Sequence, residues 1–208
     1  MWIKAQCEKF TGNQAAKRYF REHRGLTKQL LEEIVPLARF AQSKYGFESN
    51  AILQPIIGSQ PFDALVTNDT DTYKVETTLA FDGYQEHHRM NILTEEGSVS
   101  AWGNIEVSGT KHKGHTYKVQ NGGGSDAQIY GPIIERIKEA YSRKIAKTYS
   151  DVRSLIIGFE DFLAFTETSD VDTFKSMLTE FETADKGSFS SIWIVGITGN
   201  FSAEYHAN

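Results

Sequence analysis

The chain has 208 residues, of which 39% are hydrophobic and 12% aromatic, with only four prolines, a balance that excludes a disordered or collagen-like chain. One large folded domain is the expectation over residues 1–208. The formal net charge of −5 argues against a protein that coats nucleic acid nonspecifically, because that affinity comes from neutralising phosphates. The longest apolar run is about eight residues, against the roughly 20 needed to cross a bilayer, and the opening MWIKAQCEKF lacks the apolar centre of a secretory signal. These features lead to the expectation of a cytoplasmic protein with no membrane association. The single Cys7 excludes an internal disulfide and a cysteine-rich zinc site, which agrees with a reducing compartment.

Charge is uneven along the chain. Residues 1–44 hold nine Lys/Arg against four Asp/Glu, a balance of +5, whereas residues 45–208 hold 13 against 23, a balance of −10. Lys17, Arg18, Arg21, Arg24 and Lys28 lie along one predicted helix, either as a solvated face or as a phosphate-contacting one.

From about residue 13 to 45, Leu26, Leu30, Leu31, Ile34, Leu37, Ala38 and Ala41 recur at three- and four-residue steps, the helical period. Gly25 and Pro36 are places where that helix breaks or bends, and Gly46 stands where a C-terminal cap belongs. Residues 51–57 read as a strand. Residues 62–67 and 73–81 read as a hairpin across the turn-forming Asn68-Asp69-Thr70-Asp71-Thr72. A short helix at 85–93 and a second hairpin, 98–107 with 111–119 turning at Ser108-Gly109-Thr110, make 83–121 an insertion. After Asn121-Gly122-Gly123-Gly124-Ser125 comes the clearest helix, capped by Ser125 or Asp126 and running to about Tyr149. A strand at 153–159, a helix at 171–183 started by Asp170 or Asp172, and a strand at 191–197 follow, and residues 199–208 are polar and expected to fray. The fold class is α/β with a mixed sheet, its helix and buried-strand alternation indicating a parallel edge.

Two carboxylates stand out. Asp63 opens an otherwise apolar strand on the face that alternation assigns to Leu65, and Lys74, Glu76 and Thr78 share one face of the next strand. Asp63 and Glu76 come together only if the strands pair with 63 opposite 76, which leaves Asp69-Thr70 as a two-residue loop with 68 opposite 71. A one-residue slip separates them. The same residues also read as the wet face of an antiparallel strand, with Asp63 capping a turn after Pro61.

At Pro61-Phe62-Asp63 and Glu76-Thr77-Thr78 the chain resembles the PD-(D/E)XK (restriction-endonuclease-like) nuclease superfamily, whose core runs helix, three strands, helix, strand, with an Asp opening the second strand and a Glu-x-Lys on the third. The resemblance covers about residues 15–160 and implies a restriction-endonuclease-like core with a mixed central sheet flanked by helices and carrying an inserted β-hairpin. It implies a magnesium- or manganese-dependent nuclease, hydrolysing phosphodiesters of DNA or RNA, with Asp63 and Glu76 as metal ligands. Thr78 stands where the family has its lysine, and it can hydrogen-bond but cannot balance charge developing on a phosphate. Lys74, one strand step earlier on the same face, is a candidate substitute. The departure at Thr78 equally suits a catalytically inactive nuclease-like module that binds protein or nucleic acid, in a complex or as a homodimer.

Further candidates are Glu33, on the first helix where some family members direct an acidic residue at the metal, and Gln128, early in the helix after the glycines. Lys17, Arg18 and Arg21, with Lys111 and Lys113 in the inserted hairpin, are the expected nucleic-acid contacts. His87 and His88 are adjacent, so on a helix they point roughly 100 degrees apart and cannot both ligate one metal from one face. His88 and Arg89 are read as contacts to phosphate or solvent. The glycines at 122–124 have neither P-loop nor dinucleotide spacing, and flexibility explains them better.

Overall fold

A computed structural model describes residues 26–46, 50–56, 58, 60–100, 105–110, 114–119, 125–161, 165 and 167–206. Lys17, Arg18, Arg21, Arg24, Lys111 and Lys113 lie outside the described residues. The sequence reading has one domain with an insertion at 83–121, and the chain divides into two compact units. One unit comprises Asp82–Gly131 with the described residues that precede Gln29, and the other comprises Gln29–Phe81 with Pro132–Asn208.

The larger unit is built on a six-stranded mixed sheet. Its strands are β1 (Ile52–Pro55), β2 (Ala64–Thr67), β3 (Thr72–Ala80), β6 (Val152–Phe159), β7 (Ser191–Gly196) and β8 (Ser202–His206), in the order β1-β2-β3-β6-β7-β8. β1, β2 and β3 pair antiparallel, β3, β6 and β7 pair parallel, and β8 returns antiparallel to β7. The parallel pairs therefore lie mid-sheet and both edges are antiparallel, which corrects the expectation of a parallel edge. Helical crossovers separate β3 from β6 and β6 from β7, as parallel neighbours require, whereas β7 reaches β8 through a tight turn.

Helix α1 (Leu26–Gln29) passes through a π turn at Leu30–Ile34 into α2 (Val35–Tyr45). The interruption falls where Pro36 was expected to disturb the helix: proline cannot donate to the carbonyl four residues back, and Val35 N–H donates to Leu30 O instead. Gly46 ends α2 at φ 73° with its N–H on Gln42 O, as a C-terminal cap should. Leu37 and Phe40 of α2 pack with Ala64, Val66, Tyr73, Val75, Ile156, Trp193 and Val195, which alternation puts on one face of the sheet. Phe40 has no exposed surface and lies 5.1 Å from the Trp193 ring centroid, a burial contributing about 2–3 kcal/mol. Leu155, Ile157, Ile192 and Ile194, on the opposite face, are also fully buried.

Helix α4 (Asp126–Ile145) starts where predicted and ends one turn short of the predicted Tyr149, while the helix predicted at 171–183 is two pieces, α5 (Thr168–Ser176) and α6 (Glu180–Thr183). Its start is fixed by Glu167 in a reciprocal capping box with Asp170, so the cap lies one turn earlier than Asp170 or Asp172. The segment expected to fray is a strand, β8, over Ser202–His206. Phe201, Ala203 and Tyr205 are buried while Ser202 and His206 face solvent, a period-2 pattern that the segment's mean polarity hides.

The smaller unit holds α3 (Gly83–Glu96) and a two-stranded sheet of β4 (Ile105–Thr110) and β5 (Gly114–Val119). Pairing runs from Ile105↔Val119 to Thr110↔Gly114, so Ser108-Gly109-Thr110 belong to a strand and are not the turn expected there.

Candidate functional site

The β2–β3 register is the one the two-residue loop requires. Ala64 faces Val75 and Leu65 faces Lys74, and Asn68 and Asp71 exchange backbone hydrogen bonds of 2.9 and 3.4 Å around Asp69-Thr70. The Asn68 side chain fixes that loop by accepting from the Thr70 N–H and hydroxyl, each at 3.1 Å.

Asp63 lies just before β2, and its own position departs from strict alternation. Its N–H donates to Val75 O at 3.0 Å, although Val75 is already the partner of Ala64. Two consecutive residues thus face one, the arrangement of a bulge, which turns a side chain out of its alternating place. The Asp63 carboxylate accordingly departs from the Leu65 face, and its Oδ2 accepts from Thr77 N–H at 2.7 Å and from the Thr77 hydroxyl at 2.8 Å. β3 runs on past the end of β2, and this carboxylate takes up an amide left unpaired there.

Glu76, next to Thr77, is 7% exposed. Its Oε1 accepts from the Lys144 ammonium, in the last turn of α4, and from the Tyr149 hydroxyl at 3.2 Å. Burial pushes the Glu76 carboxyl above its ordinary range and the Asp63 charge adds to this, while Lys144 and Tyr149 pull against them. Tyr149 is raised by its own burial and then by Glu76. Glu33 sits in the π turn, half-buried, and is likewise raised, first by burial, then by the charge of Asp63, and further by Glu32 and Glu76 against the opposing Lys144. Glu33 thus feels both other carboxyls and Glu76 feels Asp63, with the Lys144 ammonium opposing in each case.

Other predicted site residues go elsewhere. Lys74 Nζ lies 3.9 Å from Asp151 Oδ2 and 5.2 Å from the Phe62 ring centroid, and it is not the lysine bonded to Glu76. Thr78 is half-buried opposite Ile157 of β6. Gln128 belongs to the smaller unit, where its Oε1 accepts from Ser125 N–H at 3.0 Å in a helix-capping role. Arg89 pairs with Glu86 at 3.7 Å and donates to Ser100 O, and His88 is 6% exposed, so neither is the solvent-facing contact expected of it. Sequence reasoning missed Lys144 and Tyr149, which come 68 and 73 residues after Glu76 and carry no motif of their own.

The free donors are all oxygen. Asp63 Oδ1, Glu76 Oε2 and the Glu33 carboxyl have no hydrogen bond among the described residues. Such a donor set suits a hard divalent cation, which keeps several waters and takes one or two carboxylates. Among the described residues, no three His, Cys, Asp or Glu side chains converge as a ready-made metal cage. No described helix is long and apolar enough to cross a membrane. Compared with known proteins, the chain matches no family model, no curated protein and no solved structure.

Proposed function

We propose that the chain is a divalent-metal-dependent phosphodiesterase with a diverged PD-(D/E)XK-like site, acting on DNA or RNA. The observation that carries this reading is the Lys144 ammonium bonded to Glu76 beside Asp63, which supplies from the following helix the cation that Thr78 does not. Element order supports it too: a helix, three antiparallel strands, a helix, then a strand parallel to the third, the sequence that a restriction-endonuclease-like core requires.

In this reading Asp63 and Glu76 hold magnesium or manganese, with Glu33 adding negative charge. The bound ion would polarise the phosphate and lower the pKa of a coordinated water. Lys144 balances charge developing on phosphate oxygens, an effect worth several kcal/mol when a cation is held ready in place. Burial of Glu76 keeps bulk water from screening that cation. The basic residues Lys17, Arg18, Arg21, Lys111 and Lys113 are the proposed nucleic-acid backbone contacts.

The test is calorimetric titration of Mg2+ and Mn2+ into the unmodified protein and into Glu76→Ala, with cleavage of labelled single- and double-stranded DNA and RNA in parallel. Expected are metal uptake and cleavage that Glu76→Ala abolishes. An unmodified protein that takes up no metal and cleaves nothing overturns the reading. One observation favours a second reading, a non-catalytic module binding protein or nucleic acid: one oxygen of Asp63 and one of Glu76 are already satisfied within the chain. Under it, Asp63→Ala lowers the melting temperature and leaves binding intact.

A further inference from the structure

The smaller unit contains a buried group that the proposed chemistry does not use. Helix α3 is capped by Asp82, whose Oδ1 accepts from Tyr84 N–H and Gln85 N–H at 3.0 Å each. Gln85 ties the helix to the hairpin, accepting from Ile105 N–H at 2.7 Å and donating to Ile105 O at 3.3 Å. One turn further on, His88 is 6% exposed and enclosed by rings. Centroids lie 4.5 Å away for Tyr84 and 5.4 Å for His87 on the helix, and 5.8 Å for His115 and 5.5 Å for Tyr117 on β5. Its Nδ1 is buried with no hydrogen-bond partner among the described residues.

Charged groups nearby on the described residues form ion pairs. Glu86 pairs with Arg89 on the helix, and Glu106 of β4 pairs with Lys118 of β5 at 3.8 Å. No carboxylate among these is bonded to the His88 ring, and among the described residues the titratable groups in ring contact with it are two phenols and two further imidazoles. We propose that His88 makes the docking of α3 on the β4–β5 hairpin pH-sensitive, firm while the imidazole is neutral and loosened when it is protonated.

The direction follows from where the proton is welcome. A buried imidazolium without a partner is costly, and protonation of His87 or His115 places like charge beside it. Burial first, then those two neighbours, hold His88 below its ordinary value. An undocked His88 regains a pKa near 6.5, so the undocked state binds more protons as pH falls. Docking is thus fully stable above about pH 6.5 and weakens below it.

Hydrogen exchange read by mass spectrometry on the full chain, at about pH 7.5 and about pH 5 and corrected for intrinsic rates, tests this. Peptides covering 83–96 and 105–119 should lose protection on the order of tenfold at the lower pH, peptides from β6 and β7 should not, and His88→Leu should remove the difference. No loss in the unmodified chain, or the same loss in His88→Leu, overturns the proposal. Should His88→Leu already be unprotected at the higher pH, an NMR titration of the unmodified chain decides. A His88 midpoint below that of a free imidazole, coinciding with the loss of protection, supports the switch, and a midpoint at or above it overturns it.

Discussion

Two buried carboxylates in the larger unit solve the same problem in opposite ways. Asp161, with no exposed surface, accepts at Oδ1 from Thr198 N–H at 2.7 Å and at Oδ2 from Asn200 N–H at 3.0 Å, so backbone amides of one short turn satisfy it. Glu76 depends on side chains far along the sequence, keeps one oxygen free of hydrogen bonds among the described residues and feels the Asp63 charge. The first is a clamp whose worth is structural. The second retains unbalanced charge, and unbalanced buried charge is what a binding or catalytic centre needs.

The contrast can be broken at either end. Asp161→Ala should cost most, because two amides lose a charged acceptor in a dry place: about 3 kcal/mol, read as a melting temperature roughly 6–12 °C lower. It should leave any metal affinity unchanged, since Asp161 touches nothing in the Glu76 cluster. A calorimetric loss of metal binding in that variant would collapse the distinction between clamp and site.

Lys144→Met should cost less, about 2 kcal/mol near pH 8, because Lys144 retains 18% side-chain exposure and Glu76 can take up a proton. Protonation removes the stranded charge, so the cost should shrink as pH falls, and Glu76→Gln added to Lys144→Met should restore most of the loss. Thermal melts of both variants across pH check this. A pH-independent cost would mean that Lys144 acts by packing alone.

The smallest effect belongs to Glu33. Its carboxyl titrates above the ordinary value near 4.5, so the folded state holds that proton more tightly than the unfolded chain does. Ionised Glu33 therefore costs stability at neutral pH, and the cost vanishes below about 4.5. Glu33→Gln should melt roughly 1–3 °C higher than the unmodified protein at neutral pH and indistinguishably from it below that value. An equal gain at both ends of the range would place the benefit outside the acidic cluster.

How much of this was legible depended on how local the cause was. The hairpin register followed from a count of loop residues and from Asn68, both of which are short-range. The Asp63 carboxylate was found but misdirected, because alternation presumes a regular ladder and the ladder breaks at Asp63 itself. Lys144 could not be read, since only tertiary packing brings the last turn of α4 to β3. β8 was missed for a different reason: Phe201, Ala203 and Tyr205 alternate with polar residues over too short a span to outweigh their average. Glu33 was placed from the family resemblance, and the π turn that carries it left no sign beyond Pro36.

Gly158, next to the last residue of β6, lies under Pro36, and a Cβ there would stand 2.6 Å from Pro36 Cγ and 3.1 Å from Leu79 Cδ1. One absent methyl group thus sets the height at which the helix rides over the sheet. Pro36 is three residues from Glu33, so that height also fixes how far an acidic side chain stands from the strand bearing Glu76. The placement of the acidic cluster is therefore written into a position that carries no charge, no polar side chain and no chemistry of its own.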